Sequence, residues 1–348
     1  MGNSLKISFA GNVLSFGELL LRISPDESGS WLRQNLLPFY IAGAELNVAS
    51  ALALWNVPSK YITALPQNGL SKQIVSFLEK QNIDMSPVIY QGNRLGLYYL
   101  TKGNDLKHEA LIYDRAHSAF SELKPGMIDW DKQFEGVSWF HFSAICPAIS
   151  QDIADVCKEA LIAASQKNII VSVDLNYRSK LWQYGKTPQE VMLDLVQYCD
   201  LVMGNVWAAE MMLGIPVVPD IHESGQKSIY LKEALKTSEE IIRRYPRCKA
   251  VANTFRFDAQ KKVDYYATLY TGDRFYTSNE YSTTEIINKV GSGDCFMAGL
   301  IYGFYNNFDP KQVLEFAAIA AFEKLFIESD TTSITAEKLL LKLNNWPG

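Results

Sequence analysis

The sequence predicts a three-layer α/β/α fold with a mainly parallel sheet and a small β-sheet lid. Three observations predict it. Short apolar runs alternate with longer amphipathic stretches along the chain, the pattern of a parallel sheet covered on both faces. Two strand-like segments, 94–101 and 109–115, follow one another with no helix between them. Apolar residues make up 48% of the 348 and charged residues 20%, enough for a large core and against disorder. At roughly 100–200 residues per domain the length would allow two domains, but α/β folds of this size often form one body. One domain over 1–348 is expected, with the lid drawn from discontinuous segments at roughly 12–42 and 94–116.

The apolar runs place strands at 13–16 (VLSF), 61–65 (YITAL), 137–142 (VSWFHF), 169–174 (IIVSVD), 201–203 (LVM) and 250–254 (AVANT). The amphipathic stretches place helices at 44–55, 72–81, 153–166, 188–198, 230–244, 294–305, 310–326 and 336–343. The stretch 214–228, rich in Pro and Gly, reads as a loop. Trp55, Trp130 and Trp139 fill core or interface. In such a fold, ligands bind at the carboxyl ends of the strands.

Composition excludes several classes. The net charge is −5 and no dense Lys/Arg block stands out, so a nucleic-acid partner has no electrostatic support. An anionic substrate must then be held by a few placed cations. The five cysteines (Cys146, Cys157, Cys199, Cys248 and Cys295) form no CxxC pair, which fits reduced thiols in a cytoplasm. The first residues, with one Lys and an early Glu18, read as mature protein and not as a signal peptide. No apolar run reaches the roughly 18 residues of a membrane span. His108, His117, His141 and His222 lack ligand spacing, so no zinc site is expected.

Three segments carry chemistry. The first is 288–296 (NKVGSGDCF), which leads into a helix. A helix start leaves N–H groups unpartnered, and glycines let an anion approach them. Such a site suits phosphates and the charge that develops in phosphoryl transfer. Asp294, in the first turn, can accept the proton of an attacking hydroxyl. The helix dipole should keep it a weak base, which a loose transition state tolerates. The other reading is a glycine-rich turn with an acidic first-turn residue. In the second segment, Asp174, Asn176 and Arg178 alternate on one face at a strand's carboxyl end. Arg178 offers a planar fork for a carboxylate or phosphate, or else pairs with Asp174 to close the strand. In the third, Tyr113 and Arg115 share a face that Tyr98 can approach; a solvent-facing strand is the alternative.

The segment 288–304 (NKVGSGDCFMAGLIYGF) resembles the C-terminal signature of the ribokinase-like (PfkB) sugar kinases, D-[TR]-[TV]-G-[AG]-G-D-x-F. The 2-keto-3-deoxygluconate kinase subgroup is matched further by 174–182 (DLNYRSKLW), 113–119 (YDRAHSA), 96–98 (GLY), 17–22 (GELLLR) and 43–49 (GAELNVA). These matches run from Gly17 to the Asp330 region, nearly the whole chain. The resemblance implies Asp294 as base and Gly291, Ser292 and Gly293 as anion hole. It implies a sugar-acid pocket of Gly43, Asn47, Tyr98, Tyr113, Arg115 and Arg178. Its nucleotide side would be Asn176, Asn205, Thr254, Arg256, Gly291 and Gly293, with ATP and Mg²⁺ as implied partners. Adenine contacts near 317–322 and 329–330 are implied in the same way.

The chain departs from that family in three places. Ala208 stands where the N-x-x-E motif has Glu, and Glu210, two residues on, faces about 200° away on a helix. Asn288 replaces Asp. The usual K-x-G-x-x-G turn is absent where the chain reads Asn253-Thr254-Phe255-Arg256-Phe257, and Arg256 either reaches phosphate or is solvated. No metal-ligand set is read, and Mg²⁺ can lean on nucleotide phosphates and waters. A fructokinase and a degenerate sugar-binding regulator are the competing readings. A dehydrogenase is set aside, since only Gly11 and Gly17 stand where a dinucleotide fingerprint belongs. A small open sheet is rarely left bare, so a homo-oligomer through the lid is expected.

Overall fold

The computed structural model describes residues 11–25, 30–32, 35–101, 111–219, 226–259 and 262–345, with Leu5 and Ile221. In chain order the strands are β1 (Asn12–Phe16), β2 (Leu20–Ile23), β3 (Phe39–Ala42), β4 (Ser59–Ile62), β5 (Ala64–Leu65), β6 (Ile83–Asp84), β7 (Ile89–Tyr90), β8 (Gly96–Tyr99), β9 (Ile112–Asp114), β10 (Val137–Ser143), β11 (Ile170–Asp174), β12 (Leu201–Gly204), β13 (Ala250–Ala259), β14 (Lys262–Thr271), β15 (Arg274–Thr277) and β16 (Tyr281–Thr283). The helices are α1 (Ala44–Leu54), α2 (Gly69–Glu79), α3 (Trp130–Gln133), α4 (Gln151–Gln166), α5 (Pro188–Val196), α6 (Val206–Leu213), α7 (Lys227–Arg244), α8 (Ser292–Tyr305), α9 (Pro310–Lys324) and α10 (Ala336–Asn344).

The large sheet has ten strands in the order β15-β14-β13-β12-β11-β10-β1-β4-β6, with β16 paired to β14. From β6 to β13 every pairing is parallel; β14, β15 and β16 add an antiparallel edge. Period-2 alternation explains the two cores. Val13, Trp139 and Met203 point to one face, against α1, α8 and α9. Leu14, Phe140, Phe142 and Val173 point to the other, against α4 and α5. Trp55 and Trp139 sit in the first core and Trp130 in the second, as the sequence suggests. Local capping moves some boundaries. Helix α2 starts at Gly69 and not at 72, because the Asn68 side chain accepts the Ser71 N–H.

A separate four-stranded sheet runs β3-β2-β8-β9. The strands β8 and β9 are antiparallel, with Tyr98 opposite Tyr113. The expected lid boundary of 12–42 is corrected here. Residues 12–16 form β1, between β10 and β4 of the large sheet, and the small sheet begins at Leu20. The buried NVLSF run has both faces covered, which only the large sheet offers. Residues 102–110, which hold His108 and the start of the expected second lid strand, lie outside the described residues, as do 220 and 222–225 of the expected loop. All five cysteines are free and buried. Among the described residues no helix is long and apolar enough to cross a membrane.

Candidate active site

A cavity of about 660 Å³ opens at the ends of β11 and β12 and beside β13. The small sheet contributes Tyr113 to its wall, with Leu111 just before β9, and the start of α8 contributes Gly291, Ser292, Gly293 and Asp294. Gly291 caps α8 at φ +80, and a β-carbon there would stand 2.0 Å from the Asp330 carbonyl oxygen, so both conformation and space require glycine. The Ser292 hydroxyl turns away and donates to the Ala321 carbonyl. Around Gly293, the nearest atom to a β-carbon would be Met203 Cε at 4.0 Å, which leaves room at the helix start. The first helical bond is Cys295 N–H to the Gly291 carbonyl, so the amides before it lie outside the helical ladder.

Asp294 lies at this helix start, and its Oδ2 accepts a 2.7 Å bond from Asn47 Nδ2. Burial pushes its carboxyl up to about 8, against the Asn47 bond; the charges of Asp174 and Glu45 add to the rise and Arg178 opposes it. This corrects the expectation of a weak base held down by the helix dipole. Desolvation and two neighbouring carboxylates outweigh a dipole worth about 0.3–1 kcal/mol at an exposed end. Asp174 is itself pushed up to about 6 by burial. With Asp294 as base, kcat/KM should rise about tenfold per pH unit to about 8 and level off above, because only the deprotonated form accepts the proton. A pH–rate series checks this, and a profile flat across neutrality would return Asp294 to the ordinary carboxylate range.

Arg178 lines the cavity. Its Nη1 donates to the Tyr177 carbonyl, and its Nε is buried with no hydrogen-bond partner among the described residues. Asp174 does not close the strand with it. Instead Asp174 Oδ1 accepts the Asn176 N–H at 3.0 Å, in a turn where Asn176 has a positive φ of 24°.

Arg115 is placed differently from its expectation. Its Nε and Nη2 both lie 2.6 Å from Glu18 Oε2, and both side chains are buried. Ser118 donates to the other Glu18 oxygen. The expected pair of free arginines is therefore corrected to one: Arg178 lines the cavity, and Arg115 is bound to Glu18. A buried carboxylate needs a cation, and Arg115 is the one within reach. Tyr98 is engaged too, its hydroxyl donating 2.7 Å to Asp330 Oδ2 while Arg22 holds Asp330 Oδ1. Gly43, at φ +149, lets α1 start against the small sheet; a β-carbon would stand 2.6 Å from the Glu18 carbonyl oxygen. Gly43, Asn47, Tyr98 and Arg115 are not among the residues lining the cavity. Arg115→Ala should lower the unfolding free energy by about 3–5 kcal/mol, measured by urea titration, because Glu18 is left as a buried unpaired charge.

On the far wall stand Asn176, Asn205, Thr254 and Arg256, with Trp207, Phe257 and Lys289. Asn205 caps α6 by accepting the Ala208 N–H, and Thr254 Oγ1 reaches the Gly204 carbonyl at 3.5 Å. Arg256 and Lys289 both approach Asp258, at 3.5 and 2.9 Å. Ala208 lines the cavity, while Glu210 accepts the Val217 N–H. Asn288 is committed locally: Nδ2 donates to the Glu328 carbonyl and Oδ1 accepts the Val290 N–H. A carboxylate could not make the first bond. Among the described residues no His/Cys/Asp/Glu group is arranged to hold a metal ion. The donor set fits an anion and does not supply a protein cage for Mg²⁺.

Sequence reasoning gave no role to Glu18, Arg22, Glu45 or Lys289, and it expected Asp330 near adenine, where the structure has its carboxylate accepting from Arg22 and Tyr98. Glu18 and Arg22 fall in the matched GELLLR segment, and Glu45 in GAELNVA, so position alone could have flagged them.

A parallel sheet with an antiparallel edge, a separate small sheet, and a glycine-led helix start at the strand ends define a ribokinase-like α/β fold. The match to the pfkB family carbohydrate kinases extends over residues 10–334, and the chain belongs to that family. It is similar to a crystal structure of 2-dehydro-3-deoxygluconokinase from Thermotoga maritima, at 33% identity and a TM-score of 0.87, covering 96% of this chain and 99% of that one. A 2-dehydro-3-deoxygalactonokinase of Haloferax volcanii is 31% identical over 170 residues, so the match spans 49% of this chain and 53% of that relative. The 2-dehydro-3-deoxygluconokinase of Bacillus subtilis is 24% identical over 306 residues, 87% of this chain and 86% of its own length.

Proposed function

We propose that the protein transfers the γ-phosphoryl group of ATP to the terminal hydroxyl of 2-keto-3-deoxygluconate, giving the 6-phosphate. The observation that carries this reading is Arg178, a cavity arginine whose buried Nε has no hydrogen-bond partner among the described residues, in the same cavity as Asp294. A cavity guanidinium that makes one backbone bond and no ion pair among the described residues favours an acid over a neutral sugar, because a ligand without a carboxylate leaves its charge unpaired. In this reading Asp294 takes the hydroxyl proton, and the Gly291–Gly293 amides hold the charge that develops on the phosphoryl oxygens. Tyr113 packs against the sugar, and Arg256 and Lys289 face the nucleotide phosphates. Bound Mg²⁺ would supply charge neutralisation at the nucleotide, and it would lean on phosphates and water, since among the described residues no carboxylate group is arranged to hold it.

The test is ADP release across a panel of sugar acids and neutral sugars. Turnover on 2-keto-3-deoxygluconate or its galactonate-derived epimer, and not on fructose, supports the reading. Turnover on fructose alone makes the protein a fructokinase, and no turnover on any sugar makes it a binding regulator. The buried Asp294 and intact helix start weigh against that last case.

Two finer points belong to the same reading. Free, buried thiols and the use of ATP suit the cytoplasm. The edge strands of the small sheet expose Phe39 (53%) and Ile112 (57%), an apolar border that a second copy of the chain would cover. Ile112→Asp should then shift the sedimenting species to monomer; an unchanged species would remove the lid from the interface.

A further inference from the structure

Lys324 ends α9 and is fully buried, at 0% exposure. A buried ammonium is costly unless something anionic answers it. Its Nζ donates 3.1 Å to the Ile327 carbonyl in the turn after α9, at the negative end of that helix. That is a partial answer, since among the described residues Lys324 makes no ion pair. Asp330 and Asp294 attract it from further off, Cys295 is nearby, and Arg22 repels it. Burial pulls its ammonium down to about 8.

The position of the stem adds the second argument. Lys324 Cε lies 3.3 Å from where a β-carbon on Gly291 would stand. Gly291 is the residue that caps α8 and opens the anion-accepting turn. The Ser292 hydroxyl and the Cys295 thiol bind the Ala321 and Ala320 carbonyls, so the start of α8 is seated on the last turns of α9. The Lys324 stem thus packs against the turn from within the protein, and Lys324 is not among the residues lining the cavity. Tying down one carbonyl would need only a neutral donor. An anion seated on the Gly291–Gly293 amides would be the counter-charge that Lys324 lacks.

We infer that Lys324 is a positioning residue for phosphoryl transfer: its ammonium makes the Gly291–Gly293 turn more positive from beneath, without touching the ligand. The inference rests on the proposed kinase reading for its reaction, but its binding arm does not. Lys324→Met keeps the stem and removes the charge. Inorganic tripolyphosphate, titrated calorimetrically, should bind about tenfold more weakly to it, and kcat should fall at least about tenfold with the sugar KM unchanged. The ligand-free thermal midpoint should hold or rise, because a buried charge is gone. In Lys324→Ala, methylammonium should restore part of kcat. Tripolyphosphate affinity and kcat both within about twofold of wild type would overturn the inference and leave Lys324 as a tie for Ile327. If wild type phosphorylates no sugar but tripolyphosphate binding still depends on Lys324, the kinase reading falls and the inference stands. Should Lys324→Met fail to fold, proton uptake on tripolyphosphate binding near pH 8, measured in Asp294→Asn to remove that carboxyl, decides the matter. Uptake supports the inference and its absence overturns it.

Discussion

Asp294→Asn should lower kcat by about 10²–10⁴-fold while ATP affinity changes by no more than about threefold. The substitution is isosteric, and an amide oxygen can still accept the bond that Asn47 Nδ2 gives at 2.7 Å. It also removes a buried carboxyl that sits beside Asp174 and Glu45, so folding should not suffer. A loss of turnover is then a loss of proton acceptance and not of structure. Single-turnover rates with matched nucleotide titrations measure it. Near-normal turnover would mean that the hydroxyl proton leaves by another route, as a loose phosphoryl-transfer transition state permits.

The second large effect is expected at Arg178. Arg178→Met should raise KM for the sugar acid by roughly 10–100-fold, since hydrogen bonds to a charged group contribute about 1.5–3 kcal/mol. The effect on kcat should be smaller, because a carboxylate far from the reacting hydroxyl is bound alike in ground and transition states. Any weak turnover of a neutral sugar should be unchanged or improved. Arg178→Lys should recover little, as an ammonium cannot reproduce the planar fork. Steady-state kinetics on both substrates separate the outcomes, and an unchanged KM for the acid would reduce Arg178 to a tie for the Tyr177 carbonyl.

The contrast between Arg178 and Arg115 shows where sequence reasoning reached its end. Both arginines stand in matched segments and both belong to strand ends or their turns. The sequence treats them alike. The structure separates them through Glu18, 97 positions from Arg115, which is buried and takes its guanidinium. Tyr98 and Arg22 meet Asp330 across 232 and 308 positions in the same manner. Neither pairing has a local signal, because it depends on which buried charges the packed sheets bring together. The antiparallel edge β14, β15 and β16 was not read either, and β13 runs to Ala259 where the apolar run suggested 254. Beyond Thr254 the strand alternates Phe255-Arg256-Phe257-Asp258, and its length comes from pairing with β14 along ten residues.

What the sequence determined by itself was local and periodic: the alternation that makes a parallel sheet and the turn residues of Gly291-Ser292-Gly293-Asp294. Those depend on neighbours within a few positions, through backbone geometry that each residue type carries with it. Only the tertiary structure decided that Arg178 and not Arg115 lines the cavity, that the chain turns after Asp174 so that the expected strand face of Asp174, Asn176 and Arg178 is not formed, that Asn288 braces Val290 and Glu328, and that Lys324 is buried beneath the turn. It also raised Asp294 to about 8 in spite of its helix start. Desolvation and charge–charge terms are sums over everything packed nearby, and that sum does not exist until the chain has folded.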